Sequence, residues 1–181
     1  MLLPKFNYHE PASLSEACEA KARYRESSRL LAGGTDLLVH LKKGLASPEN
    51  IISLGRVREL TAIDQSNGVV SIGACVTVSN LIASEIVSRA LSALKAGGIA
   101  LGSPIVRNRA TIGGNINSAR PAGDLIPSLM AYGATLVFES VGGTRELSLE
   151  EFITGPGKTL IRPDEIMSVD KIKDRKVQHA T

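Results

Sequence analysis

The sequence predicts an α+β protein with two subdomains, and three patterns carry this prediction. The N-terminal part alternates short apolar segments with helical ones, which is typical of a small α/β unit. The remainder contains two hairpin signals on either side of a helix-rich stretch. Two glycine-rich segments also stand out, AGGTDLL at Ala32 to Leu38 in the first part and TIGGNI at Thr111 to Ile116 in the second. We assign residues 1–57 to an α/β subdomain, 58–168 to an α+β subdomain and 169–181 to a polar tail.

Local signals place the elements of the first subdomain. Ser13 to Glu16 has the capping-box pattern that starts a helix. Strands are predicted for Arg29 to Ala32 and for Ile51 to Leu54, with a helix from Asp36 to Lys43 between them. Gly44 ends this helix, because glycine readily adopts the left-handed conformation of a helix C-terminus.

The second subdomain begins with a hairpin that turns at Asn67-Gly68. Thr77 then caps one or two helices, which Gly97 and Gly98 are expected to close. An irregular stretch leads to the second Gly-Gly pair, and another helix follows from Pro121 to Tyr132. The second hairpin turns at Gly142-Gly143, which completes an α+β arrangement.

Composition narrows the classes of function. The 181 residues are 43% hydrophobic and 22% charged, as in soluble globular proteins, and the formal net charge is only +3. So small a net charge produces only a weak electrostatic field, and the chain has no Trp on which bases could stack. Neither feature favours nucleic-acid binding. The N-terminus lacks an export signal and no apolar run is long enough to cross a bilayer, so we expect a cytoplasmic protein without membrane insertion.

The residues that commonly bind metals are few and scattered. Cys18 and Cys75 form no CxxC pattern, and two thiols are too few for the usual four-cysteine iron–sulfur cluster. His9, His40 and His179 lack the spacing of metal ligands. We therefore predict no metal site and no structural disulfide in this chain.

The Gly-Gly pairs of AGGTDLL and TIGGNI are the strongest candidates for ligand binding. Glycine permits positive φ and brings bare N–H groups close to an anion, although a tight structural turn is the commoner role of such a pair. Thr35 and Asn115 can add side-chain hydrogen bonds. Neither segment matches the GxxxxGK[ST] or GxGxxG patterns. The pairs together favour one extended ligand that carries a phosphate, such as a diphosphate at the helix start that follows Gly34.

Several charged residues near these pairs allow two interpretations. Asp36 either supports its turn or contacts the ligand. Arg107 and Arg109 are not expected to be ligands, since arginines in loops are as often solvated or bonded to backbone carbonyls. Asp124 either caps the following helix or accepts hydrogen bonds from ribose or ribityl hydroxyls.

AGGTDLL and RNRATIGGNINSARPAGDLIP together resemble the FAD-binding medium subunits of the molybdenum hydroxylases. This family includes the xanthine dehydrogenase, carbon monoxide dehydrogenase and 4-hydroxybenzoyl-CoA reductase types. The likeness extends from residue 1 to about 168, and FNYHEPASLSEA and TGPGKTLIRPDEIM share it. It implies the two-subdomain FAD-binding fold of the vanillyl-alcohol oxidase and CO dehydrogenase flavoprotein type, with FAD between the subdomains.

The resemblance also implies the residues that bind FAD. A pyrophosphate loop is implied at Ala32, Gly33, Gly34, Thr35, Asp36 and Leu37. A second FAD loop is implied at Thr111, Ile112, Gly113, Gly114 and Asn115. Asp124 is implied to hydrogen-bond the cofactor, while Leu101 and Met167 are implied to line its pocket.

The function implied by the resemblance is electron transfer within an oxidoreductase. An iron–sulfur small subunit and a molybdopterin large subunit would complete the hetero-oligomer, and FAD would pass electrons to NAD or a quinone. No catalytic acid or base is implied in this chain. The sequence leaves the family pattern after Ser168, where members continue into a C-terminal domain, so we expect the subunit to be inactive by itself.

Two alternatives stay open. One is a truncated flavin-fold module without bound FAD that acts in assembly or interaction. The other, less favoured, is a UDP-sugar reductase of the related flavin fold, for which the sequence shows no matching catalytic acid or serine.

Overall fold

Two larger β-sheets organise the described part of the chain. The computed structural model describes residues 3–121 and 123–173. The first sheet is parallel and contains β1 (Asn7–His9), β2 (Ser28–Leu31) and β3 (Asn50–Ser53), in the order β1-β3-β2. Helices α1 (Leu14–Tyr24) and α2 (Leu37–Lys42) connect these strands, with a 3-10 turn at Arg25–Ser27 after α1.

The second sheet is antiparallel and has five strands. They are β4 (Ile63–Ser66), β5 (Val69–Gly73), β6 (Thr135–Ser140), β7 (Gly143–Ser148) and β10 (Ile166–Lys173). Their order is β4-β5-β10-β6-β7, so the last of the described strands lies at the centre. A small hairpin of β8 (Ile153–Gly155) and β9 (Lys158–Thr159) stands apart.

Short helices fill the connections of the second sheet. They are α3 (Val78–Ala83), α4 (Glu85–Ala90), α5 (Ser92–Ala100), α6 (Pro104–Arg107), α7 (Ile112–Ser118), α8 (Ile126–Ala131) and α9 (Leu149–Phe152). A 3-10 turn at Arg58–Thr61 joins the two sheets. Within the described residues, no helix is both long and apolar enough to span a membrane.

Local chemistry explains where several elements begin and turn. The Ser13 hydroxyl accepts a hydrogen bond from the Glu16 N–H at 3.2 Å and caps α1, as predicted. Gly44 has a φ of +68° just beyond α2. Asn67 and Gly68 have φ values of +50° and +71°, the geometry that a two-residue hairpin turn requires.

Two hydrophobic clusters hold the elements together. The larger one joins the antiparallel sheet to its helices and includes Phe138 and Phe152, whose ring centroids are 5.0 Å apart. The smaller one combines Ala17 and Cys18 of α1 with Ile166 of β10, among others. Because this cluster crosses the boundary predicted at residue 57, the division into two subdomains stays a prediction.

The prediction of a polar tail from residue 169 onward is wrong for residues 169–173. Val169–Lys173 belong to the central strand β10, where Ile172 is fully buried. Asp170 pairs in register with Ile72 on one side and with Leu136 on the other. Along this strand Asp170 and Ile172 lie on the buried face, whereas Lys171 and Lys173 lie on the other face. Residues 174–181, the rest of that tail, lie outside the described residues.

Glycines 97 and 98 do not close a helix. Both lie inside α5, and the predicted one or two helices after Thr77 are three, α3 to α5. A Cβ at Gly97 would lie 2.5 Å from the Asp124 carbonyl oxygen, and one at Gly98 would lie 3.1 Å from the Ile82 side chain. These glycines therefore allow neighbouring segments to approach α5 closely.

Asp170 leads to a prediction about the dependence of stability on pH. Its carboxyl is fully buried and its two oxygens have no hydrogen-bond partner among the described residues. Burial raises the pKa of Asp170 from 3.8 to about 8. The folded chain therefore keeps a proton that the unfolded chain releases near pH 4. The resulting stabilisation is complete below that pH and is lost as the pH rises towards 8.

We expect the free energy of unfolding to fall by at most about 1.4 kcal/mol per pH unit through this window. Asp170→Asn, which cannot ionise, should remove that part of the slope. Urea unfolding of both proteins across the window measures the difference. Identical slopes in the two proteins would show that Asp170 does not titrate as its burial requires.

Candidate functional site

The first Gly-Gly segment is in direct contact with the residues that immediately precede the second, although the two are far apart in sequence. A Cβ placed on Gly33 would lie 1.8 Å from the carbonyl oxygen of Arg109 and 2.7 Å from its carbonyl carbon. Only glycine tolerates so close an approach of two backbones. This contact places the loop between β2 and α2 beside the residues that lead into α7.

The first segment offers unused backbone donors. Gly34 has a φ of +77°, which reverses the chain between β2 and α2. The N–H groups of Gly33, Gly34, Thr35 and Asp36 have no acceptor among the described residues. A loop of free amides before a helix is a suitable site for an anion. The geometry predicted for this segment is therefore present.

The second segment has a different structure from the predicted turn. Thr111 caps α7, and Gly113 and Gly114 lie in the first turn of that helix at ordinary φ values. The Ile112 and Gly113 amides donate to the carbonyls of Val76 and Ala74 at 3.0 and 2.9 Å. The Gly114 amide donates to the Thr111 hydroxyl at 3.2 Å. The expectation of a second cradle of bare N–H groups is therefore wrong, because the protein uses these donors itself.

Close packing explains the first glycine of this pair. A Cβ on Gly113 would lie 2.7 Å from both the Cβ and the carbonyl oxygen of Ala74. Gly113 thus lets α7 rest against the end of β5. Gly114 points the other way, is exposed and lines the candidate site.

The site consists of two cavities that share a wall. Cavity A, of about 780 Å³, lies between the two glycine segments. Cavity B, of about 480 Å³, lies between the parallel sheet, α7 and β10. The residues that line both cavities are Arg29, Leu30, Ala32, Gly114 and Asn117. Together the cavities form one elongated groove.

Most of the predicted site residues line this groove. Those in cavity A are Ala32, Gly33, Gly34, Thr35, Asp36, Leu37, Leu101, Thr111, Gly114 and Asn115. Gly113 and Met167 line cavity B. Ile112 is fully buried in the larger hydrophobic cluster, and Asp124 is exposed outside both linings and does not cap α8. Cofactor contacts by these last two residues stay predictions.

Two asparagines on α7 carry buried acceptors without partners. The Oδ1 atoms of Asn115 and Asn117 are shielded from solvent and receive no hydrogen bond from the described residues. Sequence reasoning named Asn115 but missed Asn117. Interpreting TIGGNINS as a helix capped by Thr111 would have revealed it, because Gly114 and Asn117 are three residues apart and share a helix face.

An ion pair crosses cavity A. The Arg120 guanidinium lies 2.9 Å from the Asp36 carboxylate and 3.3 Å from the His40 ring nitrogen. Asp36 does not use its side chain to cap α2. Its carboxylate is therefore neutralised by a residue that follows α7, which adds a second link between the first glycine segment and the residues that flank the second.

Arg107 shapes the wall near Leu101. Its Nη1 donates to the carbonyls of Ile99, Leu101 and Gly102 at 3.0 to 3.1 Å. This agrees with a structural role for Arg107, one of the two roles considered for the arginines of this loop. The bonds hold the segment that carries Leu101 against α6.

The charged groups of cavity B are mostly satisfied within the protein. Lys21 Nζ donates to the Arg25 carbonyl and the Ser28 hydroxyl at 2.8 and 3.0 Å. Burial, and then the nearby Arg29 charge, lowers the pKa of Lys21 to about 8. The buried Glu165 carboxylate accepts two bonds from Arg145, at 2.8 and 2.6 Å. These pairs leave the middle of the cavity predominantly apolar.

The remaining candidate groups are the cysteines and histidines. Cys18 and Cys75 are free thiols, and burial raises the pKa of each to about 11. Among the described residues, no group of three His, Cys, Asp or Glu side chains could hold a metal ion. His179 lies outside those residues.

The chemistry of the groove is that of a dinucleotide-binding protein. Free amides suit a phosphate, buried oxygens without partners suit hydroxyl or amino groups, and two joined cavities suit a ligand with two bulky ends. A dinucleotide has these features.

Comparison with known proteins agrees with a dinucleotide ligand, because the family described as the FAD binding domain in molybdopterin dehydrogenase matches residues 4–169.

The chain belongs to this family of FAD-binding domains. It is 36% identical over 167 residues to the carbon monoxide dehydrogenase medium chain of Hydrogenophaga pseudoflava, covering 92% of this chain and 58% of the relative. It is 37% identical over 163 residues to the xanthine dehydrogenase FAD-binding subunit of Escherichia coli O157:H7, covering 89% and 55%. The predicted family and the predicted cofactor, FAD, are confirmed.

Structural comparison confirms the predicted fold. Carbon monoxide dehydrogenase from Hydrogenophaga pseudoflava superposes with a TM-score of 0.93 at 34% identity. The aligned part covers 96% of this chain and 61% of the other. The chain therefore spans somewhat less than two thirds of the length of these relatives.

The Gly33 contact predicts a specific effect on stability. We expect Gly33→Ala to lower the free energy of unfolding by about 2 kcal/mol or more, because the new Cβ meets the Arg109 backbone rather than a flexible side chain. Gly155→Ala is the matched control, since a Cβ there meets nothing within 4 Å. It should change stability by about 0.5 kcal/mol or less. Urea unfolding compares the two, and equal stability would refute the backbone contact.

Proposed function

We propose that this chain binds FAD along the groove formed by cavities A and B. The observation that carries the proposal is the set of free amides from Gly33 to Asp36 in the wall of cavity A. These donors would hold the diphosphate, with help from the nearby start of α2. The buried Asn115 oxygen is an acceptor for a hydroxyl of the same ligand.

We further propose that the chain provides the flavin part of a molybdenum-containing oxidoreductase in the cytoplasm. Bound FAD would supply the redox chemistry, since it carries either one or two electrons. The residues of this chain bind and orient the cofactor, and we assign none of them a proton-transfer role. An iron–sulfur subunit would deliver electrons from a molybdopterin subunit, and NAD or a quinone would accept them.

The names of the relatives support this role. They include a carbon monoxide dehydrogenase medium chain and a xanthine dehydrogenase FAD-binding subunit, which are parts of dehydrogenases. The chain matches 55–58% of the length of these proteins. The complete activity is therefore proposed for an assembly that contains the chain.

A binding experiment distinguishes this proposal from a flavin-fold module that has lost its cofactor. Purified protein is mixed with FAD, passed through gel filtration and examined by visible spectroscopy. Flavin absorption that elutes with the protein is the expected result, because the amide loop is intact without a partner subunit. A colourless protein would favour the module that acts in assembly or interaction.

The ion pair in cavity A gives a second test of the diphosphate position. We expect Arg120→Met to weaken FAD binding about three- to fivefold, because the Asp36 carboxylate would then face the diphosphate without its cation. The double variant Asp36→Asn/Arg120→Met should recover affinity to within about twofold of the wild type. Titrations followed by flavin fluorescence measure both. A double variant as weak as the single one would instead place Arg120 in contact with the ligand.

A further inference from the structure

Asn117 occupies the junction of the two cavities. It lines both cavity A and cavity B and lies on α7, on the same helix face as Gly114. A ligand that extends from one cavity into the other must pass this side chain. The chemistry that Asn117 presents there therefore bears on which ligands are accepted.

The protein holds the Asn117 amide in one orientation. Its Nδ2 donates to the Gly113 carbonyl at 2.8 Å and lies 3.6 Å from the Met167 sulfur. Rotating the amide by half a turn would place Oδ1 against the Gly113 carbonyl oxygen, where two acceptors repel. The oxygen is thus directed away from both partners.

The Asn117 oxygen is left without a hydrogen bond. Oδ1 is shielded from solvent and has no donor among the described residues. By contrast, Asn108 Oδ1 accepts a hydrogen bond from the Ser79 hydroxyl at 2.6 Å. A buried acceptor without a donor is costly, so a ligand that supplies the donor gains affinity from it.

We propose that Asn117 Oδ1 accepts a hydrogen bond from a neutral hydroxyl or amino group of the bound dinucleotide. The inference rests on the proposed FAD function and names a specificity-determining residue within it. An ionised phosphate is excluded as the partner, because it has no proton to donate. Such donors occur in both the adenosine half and the riboflavin half of FAD, and fragments of the cofactor separate the two.

The experiment compares the wild type with Asn117→Leu, a change that preserves size and removes both polar atoms. Asn108→Leu is the matched control, since its oxygen is satisfied by Ser79 and it lines neither cavity. Dissociation constants are measured for FAD, FMN and ADP. We expect Asn117→Leu to bind FAD about tenfold more weakly and Asn108→Leu to bind it like the wild type.

The fragments identify the half of the ligand that Asn117 contacts. If the donor is in the adenosine half, Asn117→Leu should weaken ADP binding by the same factor as FAD binding. If the donor is in the riboflavin half, the variant should weaken FMN binding by that factor instead. An analogue of that fragment without its hydroxyl or amino donor should bind the wild type about tenfold more weakly and the variant no more weakly. If Asn117 had only a structural role, removing the donor from the ligand would weaken binding to the wild type and to the variant equally.

Two results would overturn the inference. Equal binding of FAD, FMN and ADP by the wild type and by Asn117→Leu would refute it while leaving the proposed function intact. A wild type that binds none of the three would refute the proposed function, and the inference with it. Thermal unfolding confirms that each variant is folded, and Asn117→Ala replaces Asn117→Leu if the latter is not.

Discussion

The close contact between Gly33 and the Arg109 carbonyl is the constraint on which the site depends. It joins a loop of the parallel sheet to the segment that leads into α7, in the other half of the chain. Without it, the free amides of the first segment and the asparagines of α7 would not face the same groove. The Arg120–Asp36 ion pair reinforces this contact, but about half of the Arg120 side chain is exposed, so solvent screens it.

The two glycine pairs thus have different physical roles. Gly34 uses positive φ to turn the chain and leave amides free, whereas Gly33 and Gly113 provide close approach between backbones. The second pair contributes little through its own N–H groups, because the Ala74 carbonyl and the Thr111 hydroxyl already accept them. What this segment presents to the proposed ligand is the exposed surface of Gly114 and the side chains one turn further along α7.

Central strand β10 shows why some features escaped sequence reasoning. The charged residues of VDKIK suggest a solvated tail, but in the strand they are divided between its two faces. One of them, Asp170, points inward without a hydrogen-bond partner among the described residues, which no local pattern indicates. Burial and partners of this kind depend on β5 and β6, which are distant in the sequence.

By itself, the sequence was sufficient to predict the family, FAD and the elements with local signals. The Ser13 cap and the Asn67-Gly68 turn are examples, because their hydrogen bonds and dihedral angles involve neighbours in the chain. Only the tertiary structure decided which glycine meets which backbone and which asparagine oxygen lacks a donor. Those properties arise where segments far apart in the chain pack together, so the residues of one segment do not reveal them.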